Sequence, residues 1–532
     1  MICWPGDQTS TLAAQVPGAA DHVEEGGDAL TQAPEASIDG VEPAGEVWVA
    51  RTDLKAGSLR LPGAIMQNIT HIAPAVAAFF FTQFVVGLSG AHSVLTYAIG
   101  VVVVLGLGIC LAILARHFPS AGGYYTYISR TVSPRAGFLA GWTFIFYSPI
   151  ITGPLCAFFG WVMENQLKSA YGFDLPWWVF VLVAVPVISL LMYMGITLSI
   201  RVLVVLGTLE MLIVLALALS GLASPGPGGF TFSVFNPSFD PGHVAVAGGF
   251  ALAVVFSVQG LTGWEAAIPL AEETENPRRN IPWAIVGSIA ILGVLLVLAF
   301  WGQIVGWGVN NLKGLTGSPT LPAFVLGTRL WGGAWPVTLV AMFTSTMGAS
   351  IACQNVATRM WYGMARQGAL PAVVGRIHPT RKTPIVAIGV QLVMALGLGL
   401  LVPALIGPDV TWFLLGGLTL VLAVIFVYVL ANLGVILYFW RERRSEFNWF
   451  FHLVLPLGTS VVLGYSVVKS FEPFPPDPYA YAPAIVGGWM LVGLAVLAWL
   501  KLSGRSEWIG KAGAIIAERP ETAEELAHRP VG

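Results

Sequence analysis

The sequence predicts an all-α polytopic membrane protein with twelve transmembrane helices, and three observations predict it. Of 532 residues, 56% are hydrophobic and only 10% charged, too little charge to clothe a soluble chain of this length. Apolar runs of about 20 residues, enough to cross a bilayer, recur along most of the chain. Lysine and arginine favour alternate connecting segments, as short cytoplasmic loops do.

The runs, in order, are 62–87, 94–116, 137–163, 176–197, 201–222, 245–271, 282–305, 334–358, 383–405, 411–439, 451–470 and 483–502. With the N-terminus in the cytoplasm, 22 of the 26 basic residues fall on the inner side, and only Lys168, Lys313, Arg329 and Lys469 fall outside. Losing one run would scramble this alternation. Both termini are therefore expected in the cytoplasm, with the plasma membrane as the location.

Between the runs, the segments have their own signatures. Residues 1–59 open with nine acids and no Lys or Arg in the first fifty, among many Gly, Ala and Pro. That composition predicts a disordered acidic tail, and it lacks the basic start and apolar core of a signal peptide. The turn-rich "SPGPGGFTFSVFNPSFDPGH" belongs to an extracellular loop over 223–244. The stretch 318–333, "SPTLPAFVLGTRLWGG", is too short and polar to span and reads as a surface or partly re-entrant helix. Residues 441–502 carry the last two runs, and 503–532 form a cytoplasmic tail.

Composition also excludes functions. A net charge of -2 argues against a nucleic-acid partner. Cys3, Cys110, Cys156 and Cys353 form no CxxC and no His/Cys cluster, so neither a disulfide framework nor a metal site is indicated. No nucleophile triad is spaced along the chain, and no cofactor motif appears. An enzyme is not expected.

Two acids lie deep inside runs, Glu210 and Glu265. A carboxylate in hydrocarbon is costly enough that function is the default reading, with a protonated or hydrogen-bonded structural acid as the alternative. His71, in "QNITHIAPAVAAFF", is either a proton relay or a side chain bonding across the bundle. Near it, Pro74 lacks the amide that continues a helix. In the sixth run, "VQGLTGWEAA" (258–267) carries Gly260 and Gly263 at mid-depth. Breaks in the first and sixth runs occupy corresponding places in two five-helix halves, 60–222 and 245–440. Such pairs point to a transporter of inverted repeats. Broken helices bare N–H groups for an anion and carbonyls for a cation, and a zwitterion fits both.

Three longer patterns carry a resemblance. "FPSAGGYYTYISRTVSPRAGFLAGW" (118–142), "GWEAAIPLAEETENPRRNIPWAI" (263–285) and "NVATRMWYGMARQGALPAVVGRIHPTRKTPIVAI" (355–388) resemble signatures of the amino acid–polyamine–organocation transporters. The resemblance covers roughly residues 60 to 502. It implies a leucine-transporter-like fold, a 5+5 inverted repeat plus two extra helices. It further implies substrate contacts at Ile72, Ala73, Pro74 and Ala75, and at Gln259, Gly260, Leu261, Thr262 and Gly263.

The chain departs from that pattern in three places. The small-residue motif of the first helix is replaced by "IAPA", and an aromatic gate is replaced by Gln259. Nine residues after Arg201, where many prokaryotic members have a lysine, stands Glu210. An acid there can carry a proton or help hold a cation; Glu265 either braces the sixth helix or senses pH. The expectation is a secondary transporter of an amino acid or related amine in the lipid bilayer. Its coupling ion is a proton, with sodium as the alternative, and Glu210, Glu265 and His71 are the candidates for proton coupling. A polyamine carrier, an exchanger and a non-transporting sensor are the competing readings.

Overall fold

The computed structural model describes residues 54–513, apart from 247 and 473–475. The acidic tail and Cys3 therefore lie outside the described residues, as does the chain beyond 513. Within them the fold is helical, and the β-pairing consists of two isolated bridges, Leu59 with Thr274 and Ile377 with Pro384.

The first helices are α1 (Leu61–Ile72), α2 (Pro74–Ser89), α3 (Ser93–His117), α4 (Tyr124–Thr131), α5 (Pro134–Tyr171), α6 (Trp177–Met194) and α7 (Ile196–Ala223). After the turn-rich segment come α8 (Gly249–Gln259), α9 (Pro277–Trp307), α10 (Leu312–Thr316), α11 (Pro322–Trp331) and α12 (Val337–Arg366). The chain then forms α13 (Ile385–Ile406) and α14 (Pro408–Thr411), followed by a π-helical stretch, Trp412–Thr419. It closes with α15 (Leu420–Arg441), α16 (Leu455–Lys469), α17 (Ala482–Leu502) and α18 (Trp508–Lys511).

Among the described residues, ten helical segments are long and apolar enough to cross a membrane. One of them, Leu61–His117, runs 57 residues and contains α1, α2 and α3, while α8 is a shorter apolar helix. α5 and α12 are the most enclosed, and α17 is the least. Outward faces carry exposed aliphatic side chains such as Val102, Val205, Val393, Leu405 and Leu491. So much bare hydrocarbon requires lipid around it.

Several helix pairs among the described residues approach backbone to backbone, two of them at facing glycines. α7 meets α9 where Gly221 abuts Gly302 and Gly306, and α5 meets α13 where Gly153 abuts Gly399. A β-carbon at these glycines would strike the opposing main chain, so small residues set the helix separation here, as is common between membrane helices.

α11 lies half-buried against its neighbours. The start of the C-terminal tail is less free than its charge suggests. Trp508 is buried against Phe138, and the Gly513 N–H donates to Gln367 Oε1 at 2.8 Å.

Candidate functional site

The first break follows from local sequence. A residue before proline is pushed out of the α region, and proline itself suits the first helical position. Accordingly α1 ends at Ile72, Ala73 turns left-handed with φ 58°, and Pro74 starts α2. The second break is glycine-driven. α8 stops at Gln259, Gly260–Ala267 winds through irregular turns, and Gly263 takes φ 119°, where side chains are strained.

The two breaks touch. His71 Nδ1 lies 3.2 Å from the Gly263 carbonyl. Since a carbonyl only accepts, Nδ1 carries the hydrogen, and Nε2 is left to accept from the Tyr147 hydroxyl at 3.5 Å. A β-carbon on Gly263 would fall 3.0 Å from the His71 carbonyl carbon. One helical turn earlier on the same face, Asn68 Oδ1 accepts the Ala267 N–H at 2.7 Å, while its Nδ2 donates to Ser288 at 3.2 Å. Of the alternatives for His71, bonding across the bundle is thus realised in the geometry.

Glu210 on α7 is fully buried at the start of α2. Its Oε2 accepts the Ala75 N–H at 3.4 Å, and Ser345 on α12 accepts the Val76 N–H at 3.2 Å. A carboxylate at a helix N-terminus faces the positive end of the dipole. The amides that the break uncovers at Ala75 and Val76 are thereby taken up by the protein's own side chains. Glu210 Oε1 has no hydrogen-bond partner. Beside that oxygen the Met66 and Thr70 side chains pack onto Gly207, and Thr70 packs onto Gly348.

Glu265, also buried, accepts the Tyr428 hydroxyl of α15 on Oε1 at 2.7 Å, and its Oε2 is unpartnered. The Trp264 and Tyr428 rings lie 5.4 Å apart, and Tyr124 of α4 lies 6.2 Å from Tyr428. The "GGYYTYISR" segment therefore packs into the bundle beside the second break. Gln259 is buried, its Nε2 unpartnered and facing Gly417 of the π-helical stretch. Tyr97, whose hydroxyl abuts Gly260, is also unpartnered, as is Thr419. Buried polar groups without partners are uncommon. Here several gather around the breaks.

Beyond the second break the chain is closed off by charge. Glu273 and Arg359 form a fully buried ion pair at 2.9 Å. Arg359 also donates to Asn355 at 3.1 Å, Asn355 donates to Gln67 at 3.0 Å, and Gln67 donates to the Ala352 carbonyl at 2.8 Å. Glu272 pairs with Arg366 and accepts the Ala121 N–H at 3.0 Å. Leu59 clasps the same strip, donating to the Glu273 carbonyl at 2.9 Å and accepting from the Glu275 N–H at 2.8 Å. The sequence "EETENPRRNIP" by itself reads as carboxylates and arginines forming a solvated, mutually paired inner gate, and the structure differs. Arg278 and Arg279 are exposed; Glu272 and Glu273 pair with Arg366 and Arg359 of α12 instead, and Glu275 pairs with Arg60.

At the opposite end a cavity of about 460 Å³ opens between α2, the far end of α5, the segment before α11, and the entrance to the π-helical stretch. Phe80, Phe158, Trp161 and Phe413 line it, with Asp409 and Tyr479 at its rim. Sequence reading did not single these out, nor Tyr147, Tyr428 and Ser345; the last lies in "TSTMGASIACQN", a polar run within an apolar one. Cys110, Cys156 and Cys353 are free and buried. Among the described residues no three His, Cys, Asp or Glu side chains gather as a metal site requires.

The chain is 27% identical over 475 residues to the low-affinity putrescine importer PlaP of Escherichia coli (strain K12), covering 86% of this chain and 96% of the importer. It is 26% identical over 426 residues to the uncharacterized amino acid permease YecA of Bacillus subtilis (strain 168), covering 79% and 90%. It is 24% identical over 320 residues to the serine/threonine exchanger SteT of the same bacterium, covering 59% and 69%. Residues 63–503 match the amino acid permease family from α1 to the end of α17, and the chain belongs to that family.

Proposed function

We propose that the protein is a secondary transporter that carries an amino acid or related amine across the plasma membrane by alternating access, coupled to protons. The observation that carries this reading is the pair of interrupted helices, at Ala73 and Gly263, joined through His71 inside the bundle. Irregular backbone at membrane depth persists where it lines a site or is held by protein, and paired interruptions mark transporter binding sites.

Counting each interrupted helix with its continuation gives twelve crossings. α1 and α2 make one; α8 with 260–273 makes another; α14, the π-helical stretch and α15 make a third. The remaining nine are α3, α5, α6, α7, α9, α12, α13, α16 and α17. An even count puts both termini on one side, and the basic residues of the inner segments support the cytoplasm as that side; Arg359 and Arg366 would then shut the path from within. The cavity then faces outward, and none of its lining residues belongs to either break. The substrate site lies between Ile72–Ala75 and Gln259–Gly263, with Gln259 contributing an amide.

Glu210 is the coupling residue in this reading. It has no cationic partner among the described residues, and a buried unpaired charge is costly, so it carries a proton while enclosed and releases it when the site opens. Glu265 braces the second break through Tyr428. The test is uptake of labelled amino acids and amines into proteoliposomes, with and without an inward proton gradient. Gradient-driven accumulation supports the reading. Saturable binding without flux would replace it with a sensor.

A further inference from the structure

We infer that the cavity at the Asp409 end is a recruitment site for organic cations, so that the permease selects amino compounds with a net positive charge; this rests on the transport reading above and names its substrate class. Four features point the same way. The cavity wall is aromatic: Phe158 and Trp161 stack with centroids 6.0 Å apart, Phe84 lies 5.0 Å from Phe413, and Phe413 lies 4.9 Å from Tyr479. Ring faces attract ammonium groups, and the attraction grows as water is excluded.

Asp409 is the sole charged side chain among the lining residues. It is exposed toward solvent and engages in no ion pair among the described residues. The nearest lysine in sequence to the lining residue Ser169 is Lys168, and it is held by Asp174 at 3.0 Å. One unpaired carboxylate with an aromatic wall suits a cation and repels an anion.

The same preference recurs at depth. At the first break, Glu210 already occupies the Ala75 N–H that a substrate carboxylate would seek. When the site opens and the proton leaves, its unpartnered Oε1 is an acceptor for an amine instead. A ligand without a carboxylate therefore loses nothing there.

The first arm of the test does not depend on transport. A Ser169→Cys variant, with Cys3→Ser, is labelled in proteoliposomes with a cationic and with a neutral methanethiosulfonate of similar size. The cationic reagent is expected to react roughly tenfold faster, and Asp409→Asn is expected to erase the difference while Asp409→Glu preserves it. The second arm measures uptake of putrescine, lysine and leucine. Asp409→Asn should raise KM roughly tenfold for the cations with little change in maximal rate. Leucine should be unaffected.

An effect on putrescine alone assigns diamines, and one on lysine alone assigns cationic amino acids. Labelling that depends on Asp409 without uptake of any compound keeps the cavity and overturns the transport reading. Equal labelling rates in both backgrounds, or equal KM changes for leucine, overturn the proposal.

Discussion

His71 and Gly263 hold two interrupted helices together: the imidazole Nδ1–H reaches the glycine carbonyl at 3.2 Å, across 192 positions of sequence. The contact joins the end of α1 to the irregular segment after α8. Whatever moves one break is felt directly by the other.

That closeness leaves no room for a side chain. Gly263 has φ 119°, and a β-carbon there would sit 3.0 Å from both His71 Nδ1 and the His71 carbonyl carbon. Gly263→Ala should therefore separate the breaks, at a cost of about 1–3 kcal/mol. Uptake should fall at least tenfold while the protein still inserts and purifies as a folded species. Wild-type uptake in that variant would show the contact to be dispensable.

Ala73 gives the opposite expectation. It is left-handed at φ 58°, a conformation that costs a residue with a β-carbon roughly 1–2 kcal/mol and glycine nothing. Ala73→Gly should keep or slightly raise the melting temperature in detergent and preserve uptake. Ala73→Val should lower both.

The ion pair between Glu273 and Arg359 is buried on both sides. Removing one partner leaves an uncompensated charge, so Arg359→Met should destabilise by about 3–5 kcal/mol. Glu273→Leu in the same chain should restore most of that stability. Uptake need not return with it, because the gate would have lost its closing charge. Detergent unfolding curves of the single and double variants measure the first effect, and flux measures the second.

For Glu210, the substitution Glu210→Gln keeps an oxygen to accept the Ala75 N–H and removes the exchangeable proton. Accumulation driven by a proton gradient should vanish while counterflow exchange persists. Under the same gradient, concentrative uptake at the wild-type level would remove Glu210 from coupling.

Both breaks were legible because their causes are local: Pro74 forces the first, and Gly260 with Gly263 permits the second. Glu210 and Glu265 stood out as acids in apolar runs. What the sequence hides is the partner of each group. Nothing near Glu210 in the chain names Ser345 or Ala75, and nothing near Glu265 names Tyr428. Arg359 reads as the start of a cytoplasmic loop, yet α12 continues to Arg366 and carries it fully buried. Its acid, Glu273, lies 86 positions earlier. Such pairings depend on how α1, α8 and α12 converge, and helical periodicity records only which face turns inward.

The most direct measurement addresses the breaks themselves. Thr262, partly buried within the second break, is replaced by cysteine in a Cys3→Ser chain and exposed in proteoliposomes to a membrane-impermeant thiol reagent. If the irregular segments line the substrate path, the thiol reacts and a saturating transported amine slows the reaction severalfold. A thiol that never reacts, or that reacts at the same rate whether or not the amine is present, contradicts a site built from the two breaks.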